Sequence, residues 1–149
     1  RSTRANSRGV DLNRNFPTKN WSGNPVMVRP FAEGPRDLAL SPGSEPASEP
    51  DTFHLLSLLE TLDVDNIVSI HAPLACVDAP AENTLADHLA QRSGLRRVLD
   101  IGYETPGSFG TWCTENKKNI VTFELPKKSG EELVRHYSPV FRELIEKGI

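Results

Sequence analysis

Short apolar runs rich in β-branched residues alternate along this chain with segments of helical periodicity, and this alternation most restricts its possible folds. One run spans 65–71 and another spans 119–125, each bounded by a proline within two residues. Shorter strands are predicted at 9–13 and 97–101, and helices at about 51–62, 82–93, 107–117 and 129–148. Strands that alternate with helices indicate an α/β domain with a largely parallel sheet.

The charge is concentrated at one end of the sequence. The chain has 149 residues and a net charge of −3, yet its first 20 residues carry +4, which leaves −7 on the rest. An acidic protein of this kind is not expected to bind nucleic acid, whereas a local cationic segment is suited to a carboxylate or a phosphate. No apolar run approaches the length of a membrane span.

Two further features concern loops and thiols. Six of the twelve prolines fall within 21–50, which predicts a long irregular loop there. Cys76 and Cys113 form no closely spaced pair, so we interpret them as reduced core thiols, and a single disulfide between them remains the alternative.

Polar residues capable of chemistry follow the predicted strands. His71 ends the run at 65–71, Glu124 lies near the end of the run at 119–125, and Asn13 and Arg14 follow the short strand at 9–13. Ligands of α/β sheets gather at the carboxyl ends of the strands. A histidine, a carboxylate and a guanidinium at one sheet edge are typical of a metal-assisted hydrolase that binds an anionic substrate.

Five segments along nearly the whole chain resemble the zinc carboxypeptidase family, in the same order. They are Arg4-Ala5-Asn6, residues 9–17 (Gly-Val-Asp-Leu-Asn-Arg-Asn-Phe-Pro), Ser69-Ile70-His71, residues 103–112 and Thr122-Phe123-Glu124-Leu125. The resemblance implies a three-layer carboxypeptidase-like (phosphorylase/hydrolase-like) α/β fold. In it a mixed, largely parallel sheet is flanked by helices, and residues 1–149 form the C-terminal portion of one catalytic domain.

Within the family, residues 71–76 and 103–110 resemble the murein peptide amidase branch, whose members cut the γ-D-glutamyl–diaminopimelate bond of cell-wall peptides. The resemblance implies a zinc cofactor and a small peptide substrate with a free carboxylate. It also implies a cytoplasmic location in a bacterium, without a nucleic-acid partner. An ordinary metallocarboxypeptidase that releases C-terminal L-amino acids is the nearest alternative.

The family's functional residues can be carried over to matching positions. His71 would be the third zinc ligand, and Glu124 the general base that takes a proton from the attacking water and passes it to the leaving amine. Arg4 would stabilise the oxyanion, while Asn13 and Arg14 would hold the terminal carboxylate of the substrate.

Three further residues match supporting positions of the family. Tyr103 corresponds to the mobile tyrosine that closes over substrate, and Asp11 to the carboxylate that orients a zinc histidine. Gly110 is expected near the floor of the side-chain pocket, beside Ser108 and Thr111. A small pocket with polar edges fits diaminopimelate better than a large apolar side chain.

The sequence departs from the family in one respect, because it contains no His-x-x-Glu motif to provide the first two zinc ligands. The spaced pairs Asp51…His54 and Glu132…His136 fall inside predicted helices and are interpreted as ordinary helix residues. We therefore expect the other two ligands upstream of Arg1, and expect the chain by itself to be inactive, to fold poorly or to associate with a second copy. A non-catalytic carboxylate-binding module is the alternative from another functional class.

Overall fold

In a computed structural model, which describes residues 4–28, 38–80 and 82–148, strands and helices alternate largely as the sequence predicts. The strands in these ranges are β1 (Val26–Val28), β2 (Leu38–Leu40), β3 (Asn66–His71), β4 (Leu74–Asp78), β5 (Arg96–Val98) and β6 (Asn119–Pro126). The helices are α1 (Pro50–Thr61), α2 (Thr84–Ser93), α3 (Phe109–Glu115) and α4 (Gly130–Lys147). All four predicted helices and the two long predicted strands are confirmed.

The chain divides into two compact units. The first unit comprises Arg1–Asp65 and Glu104–Lys118, and therefore holds β1, β2, α1 and α3. The second unit comprises Asn66–Tyr103 and Asn119–Ile149, and holds the other four strands with α2 and α4.

The second unit is built on a mixed four-stranded sheet with the strand order β3-β6-β4-β5. β3 pairs with β6 in parallel and β4 pairs with β5 in parallel, whereas β4 and β6 run antiparallel. Two of the three pairings are thus parallel, which confirms the predicted mixed, largely parallel α/β sheet. β4 was not predicted, because its five residues lie between Pro73 and Pro80 and alternate only weakly in polarity.

The register of this sheet separates an apolar face from a polar one. Side chains alternate between the two faces along each strand, so residues paired across strands share a face. Val77, Val121 and Phe123 are completely buried on one face. There they pack with α2 and α4 in a core that also includes Ala79, Leu85, Ala86, Leu89, Tyr137 and Val140. Ser69, Thr122 and Glu124 lie on the opposite face.

Helix α4 begins with a capping box, in which Ser129 and Glu132 exchange side-chain and backbone hydrogen bonds. Although Pro139 lies inside it, α4 is a single helix from residue 130 to 147. Tyr137 and Val140, on either side of the proline, are both buried in the core. Their burial offsets the lost backbone hydrogen bond and keeps the helix continuous.

One prediction for the first unit is wrong, and another holds only for part of its segment. Instead of a strand at 9–13, a short 3-10 turn spans Leu12–Arg14, because the Asp11 side chain accepts a hydrogen bond from the backbone N–H of Asn13. The segment at 21–50 is not wholly irregular, since β1 and β2 pair antiparallel within it; residues 29–37 lie outside the described ranges.

Both cysteines are free and buried, which confirms the interpretation as reduced core thiols. Burial raises the pKa of the Cys113 thiol to about 12, although the nearby Lys118 opposes the shift. Within the described ranges, no helix has both the length and the apolar composition needed to cross a membrane.

Candidate active site

The second unit places the predicted metal ligand and the predicted base opposite each other. His71 is the last residue of β3 and pairs in register with Glu124 of β6. Because adjacent strands are about 4.8 Å apart, these two side chains emerge side by side on the polar face of the sheet. The Ser69 hydroxyl lies 2.9 Å from Nε2 of His71, which fixes one nitrogen of the imidazole ring.

Glu124 is only 7% exposed, and among the described residues only one group donates a hydrogen bond to its carboxylate. Oε2 accepts a hydrogen bond of 3.3 Å from the backbone N–H of Leu74, the first residue of β4. On its other flank, Glu124 pairs in register with Cys76. A carboxylate that is largely removed from water and held by one long hydrogen bond is suited to exchanging a proton with a reacting group.

Four of the other predicted site residues lie together in the first unit. Arg4 donates from Nε to Oδ2 of Asp11 at 2.9 Å, and Asp11 is only 3% exposed. Oδ1 of Asp11 accepts the backbone N–H of Asn13 at 3.1 Å. The aspartate therefore orients the Arg4 guanidinium and caps the turn at once. Its predicted role toward a zinc histidine stays a prediction.

Asn13 and Arg14, the two residues of the predicted carboxylate clamp, lie in the turn itself, and their clamp role stays a prediction. Arg14 is buried, and its Nη1 donates to the carbonyl oxygen of Asn13 at 2.6 Å. The Asn13 side-chain oxygen accepts the backbone N–H of Phe109, the first residue of α3, at 2.8 Å. Both side chains are therefore held in one geometry by main-chain groups. Such preorganisation lowers the entropic cost of binding an anion.

Asn15, which sequence reasoning did not single out, connects this turn to the segment before α1. Its side chain is completely buried and donates to Pro42 O and Glu45 O and to Ser48 Oγ. Its Oδ1 accepts the backbone N–H of Glu49 at 3.1 Å. Every polar atom of the amide is thus used. The sequence did contain a motif that could have identified Asn15, because this residue belongs to the block at 9–17 that resembles the zinc carboxypeptidase family.

Glu49 continues the same network and binds the segment that follows Arg4. It is 4% exposed, and its Oε2 accepts hydrogen bonds from Asn6 Nδ2 at 2.5 Å and Arg8 Nε at 2.9 Å. Burial acts to raise the pKa of this carboxyl, but the hydrogen bonds from Asn6 and Arg8, the charge of Arg8 and the Ser48 hydroxyl together lower the pKa below its ordinary value. Glu49 is therefore ionised at neutral pH.

Gly107 also lies against the turn. Its carbonyl oxygen accepts the backbone N–H of Phe16 at 2.9 Å, and its own N–H donates to Thr18 Oγ1 at 2.9 Å. Its φ is +68°, and a Cβ built on it would lie 2.6 Å from the carbonyl carbon of Arg14 and overlap the attached oxygen. Only glycine fits here. The sequence analysis did not single out this residue, although it belongs to the segment at 103–112.

The remaining two predicted residues lie in different units. Tyr103 is 58% exposed and belongs to the second unit, after β5. Gly110 lies in the first turn of α3, in the first unit, where its carbonyl oxygen accepts the Thr114 hydroxyl at 3.0 Å. Their substrate-binding roles stay predictions.

The described residues do not by themselves form a complete metal site. Protein zinc sites use at least three side-chain ligands from histidine, cysteine, aspartate or glutamate. No group of three such residues in the described ranges could hold a metal ion. His71 pairs with Glu124 on one flank and Cys76 pairs with it on the other, and the role of His71 as a zinc ligand stays a prediction.

Comparisons with known proteins identify relatives along almost the entire chain. A family profile for zinc carboxypeptidase matches residues 1–98. Murein peptide amidase A of Escherichia coli is 43% identical over 135 residues, which cover 90% of this chain and 56% of that protein. The protein of the same name from Vibrio campbellii is 41% identical over 145 residues, covering 97% of this chain and 58% of its own length. The chain thus spans little more than half the length of these relatives.

Two solved structures are also similar. The crystal structure of a murein-tripeptide amidase from Escherichia coli O157 matches with a TM-score of 0.91 and 38% identity, over 97% of this chain and 62% of that one. Thrombin activatable fibrinolysis inhibitor matches with a TM-score of 0.63 and 20% identity, over 85% of this chain and 37% of that one. The second match shows a shared fold only.

The close approach of Gly107 to Arg14 predicts a large effect of Gly107→Ala on stability. Gly9→Ala is the matched control in the same unit, because Gly9 has a similar φ of +77° but no atom within 4 Å of an added Cβ. Gly9→Ala should lower the free energy of unfolding by only about 1–2 kcal/mol, the cost of a left-handed backbone conformation in alanine. Gly107→Ala should cost about 1–3 kcal/mol more, because its Cβ also displaces the Arg14 carbonyl. Urea unfolding measures both, and equal losses would contradict the close approach.

Proposed function

The chain belongs to the zinc carboxypeptidase family, and from that premise we propose that it acts in the hydrolysis of the γ-D-glutamyl–meso-diaminopimelate bond of murein peptides. The pairing of His71 with Glu124 is the observation that most supports the proposal, because it places a potential zinc ligand beside a potential general base. The names of the murein peptide amidase relatives support the substrate. The proposal includes a cytoplasmic location in a bacterium, where cell-wall peptides are recycled.

In this proposal Glu124 moves the proton. Its buried carboxylate takes a proton from the attacking water and then gives it to the nitrogen of the leaving diaminopimelate, so the same group acts as base and then as acid. His71 is proposed as one ligand of the zinc ion. When bound, the zinc polarises the carbonyl and lowers the pKa of water at the site.

Arg4 is proposed to stabilise the oxyanion of the tetrahedral intermediate. Its bond to Asp11 uses Nε, and no other described residue accepts a hydrogen bond from the terminal nitrogens of the guanidinium, which are proposed to contact the substrate. Because the aspartate already orients the arginine, little reorganisation accompanies the reaction. Asn13 and Arg14 are proposed to bind the free carboxylate next to the scissile bond, which a planar guanidinium can hold through two oxygens.

Replacing the proposed base gives the first functional prediction. In the full-length protein, Glu124→Gln should keep its zinc content and lose about a thousandfold or more in turnover of L-Ala-γ-D-Glu-meso-diaminopimelate, because the amide cannot accept the proton. Glu131→Gln is the control, since Glu131 is an exposed residue of α4 paired only with Arg135 among the described residues. Zinc analysis and steady-state kinetics measure both. Near-normal turnover of Glu124→Gln would refute the assigned mechanism.

Substrate preference separates the amidase from an ordinary carboxypeptidase. The amidase proposal predicts a much higher kcat/KM for the γ-D-glutamyl–meso-diaminopimelate tripeptide than for N-acylated dipeptides that end in common L-amino acids. Chromatography of the released amino acids measures both rates. A preference for the simple dipeptides would exclude the amidase assignment while leaving membership of the family intact.

A further inference from the structure

Asp78, the last residue of β4, lies on the same sheet face as the proposed base. Cys76 pairs in register with Glu124, and two residues further along β4 Asp78 pairs with Thr122. Thr122 in turn pairs with Ser69 of β3. The polar face therefore has two adjacent rows, one containing His71 and Glu124 and the next containing Ser69, Thr122 and Asp78.

The Asp78 carboxylate lacks a partner within the described part of the chain. It is half-buried, and no hydrogen bond or ion pair reaches it from residues 4–28, 38–80 or 82–148. Arg97 is the nearby cation, but its nitrogens donate to the carbonyl oxygens of Ala79, Pro80 and Val98 and to the carboxylate of Asp87.

Burial raises the pKa of Asp78, as do the negative charges of Asp100 and Glu124, while Arg97 opposes the shift. A partly buried carboxylate without a hydrogen-bonding partner is costly unless a cation binds to it. The environment of Asp78 therefore favours a cationic ligand over an anionic or apolar one.

The spacing of the two rows matches the length of one particular side chain. Diagonal neighbours on one face of an antiparallel strand pair, such as Glu124 and Asp78, are about 7–8 Å apart. In diaminopimelate six bonds separate the nitrogen of the scissile amide from the distal ammonium, and bonds of about 1.5 Å in an extended chain span about 7 Å.

We propose that Asp78 binds the distal ammonium of the diaminopimelate side chain and thereby selects for side chains that carry an ammonium at this distance. The inference rests on the proposed function, because it takes Glu124 as the group that faces the scissile amide. It assigns selection of the side chain to β4, in addition to the region around Gly110 predicted from the sequence. Peptides that end in lysine carry an ammonium at the same distance and should share this interaction.

The kinetic test uses Asp78→Asn in the full-length protein and two substrates. One ends in meso-diaminopimelate, and the other ends in L-2-aminopimelate, which lacks only the distal ammonium. For the first substrate kcat/KM should fall about 10- to 100-fold, mainly through KM, because a charged hydrogen bond is lost. For the second it should change less than about twofold. Asp63→Asn, an exposed residue with the same change of charge, should alter neither.

A binding measurement separates this inference from the proposed function. Calorimetric titration of the metal-free full-length protein with free meso-diaminopimelate should give at least a tenfold weaker Kd for Asp78→Asn than for the unsubstituted protein, and urea unfolding should show that the variant is folded. As a second readout that needs no variant, the unsubstituted protein should bind L-2-aminopimelate more weakly by the same factor.

The results of these experiments distinguish a failure of the inference about Asp78 from a failure of the amidase proposal. If Asp78→Asn lowers kcat/KM equally for both substrates, or leaves the Kd of meso-diaminopimelate unchanged, the inference is wrong. If the unsubstituted protein binds meso-diaminopimelate through Asp78 but does not cleave the tripeptide, the inference stands and the amidase proposal fails.

Discussion

The parallel pairing of β3 with β6 is the constraint on which the chemistry of the second unit depends. Its register places His71 opposite Glu124, and a slip of one residue would turn one of them to the other face. The register is fixed by burial of Val121 and Phe123 against α2 and α4 on the reverse face. The apolar core therefore specifies the positions of the polar residues on the opposite face of the sheet.

In the first unit, buried hydrogen bonds rather than an apolar core fix the conformation of the site residues. Its turn at residues 12–14 is held by buried polar groups, chiefly the Asn15 amide with its fully used hydrogen-bonding capacity. Buried networks of this kind are costly if any member lacks a partner, but once satisfied they specify one conformation. Arg4 is oriented by Asp11 and Arg14 by the carbonyl oxygen of Asn13, which suits the roles proposed for these two arginines.

Periodicity was sufficient to predict the long strands and all four helices, because each buries one regular face. Periodicity did not predict the local structure where a side-chain hydrogen bond or nearby prolines determine it. Asp11 caps a turn in a segment that otherwise alternates like a strand, and β4 is too short and too close to prolines to be recognised. His71 and Glu124 were identified from motifs, whereas Asp78 could be noticed only once the antiparallel register of β4 with β6 was known.

In the proposed mechanism, His71 and Glu124 form one hydrolytic centre on the polar face of the sheet. Anomalous diffraction at the zinc absorption edge, measured on crystals of the full-length protein, can locate this centre. A zinc peak is expected about 2.0–2.1 Å from an imidazole nitrogen of His71, on the sheet face that carries Glu124. A zinc ion bound elsewhere, with His71 outside its coordination sphere, would exclude the mechanism.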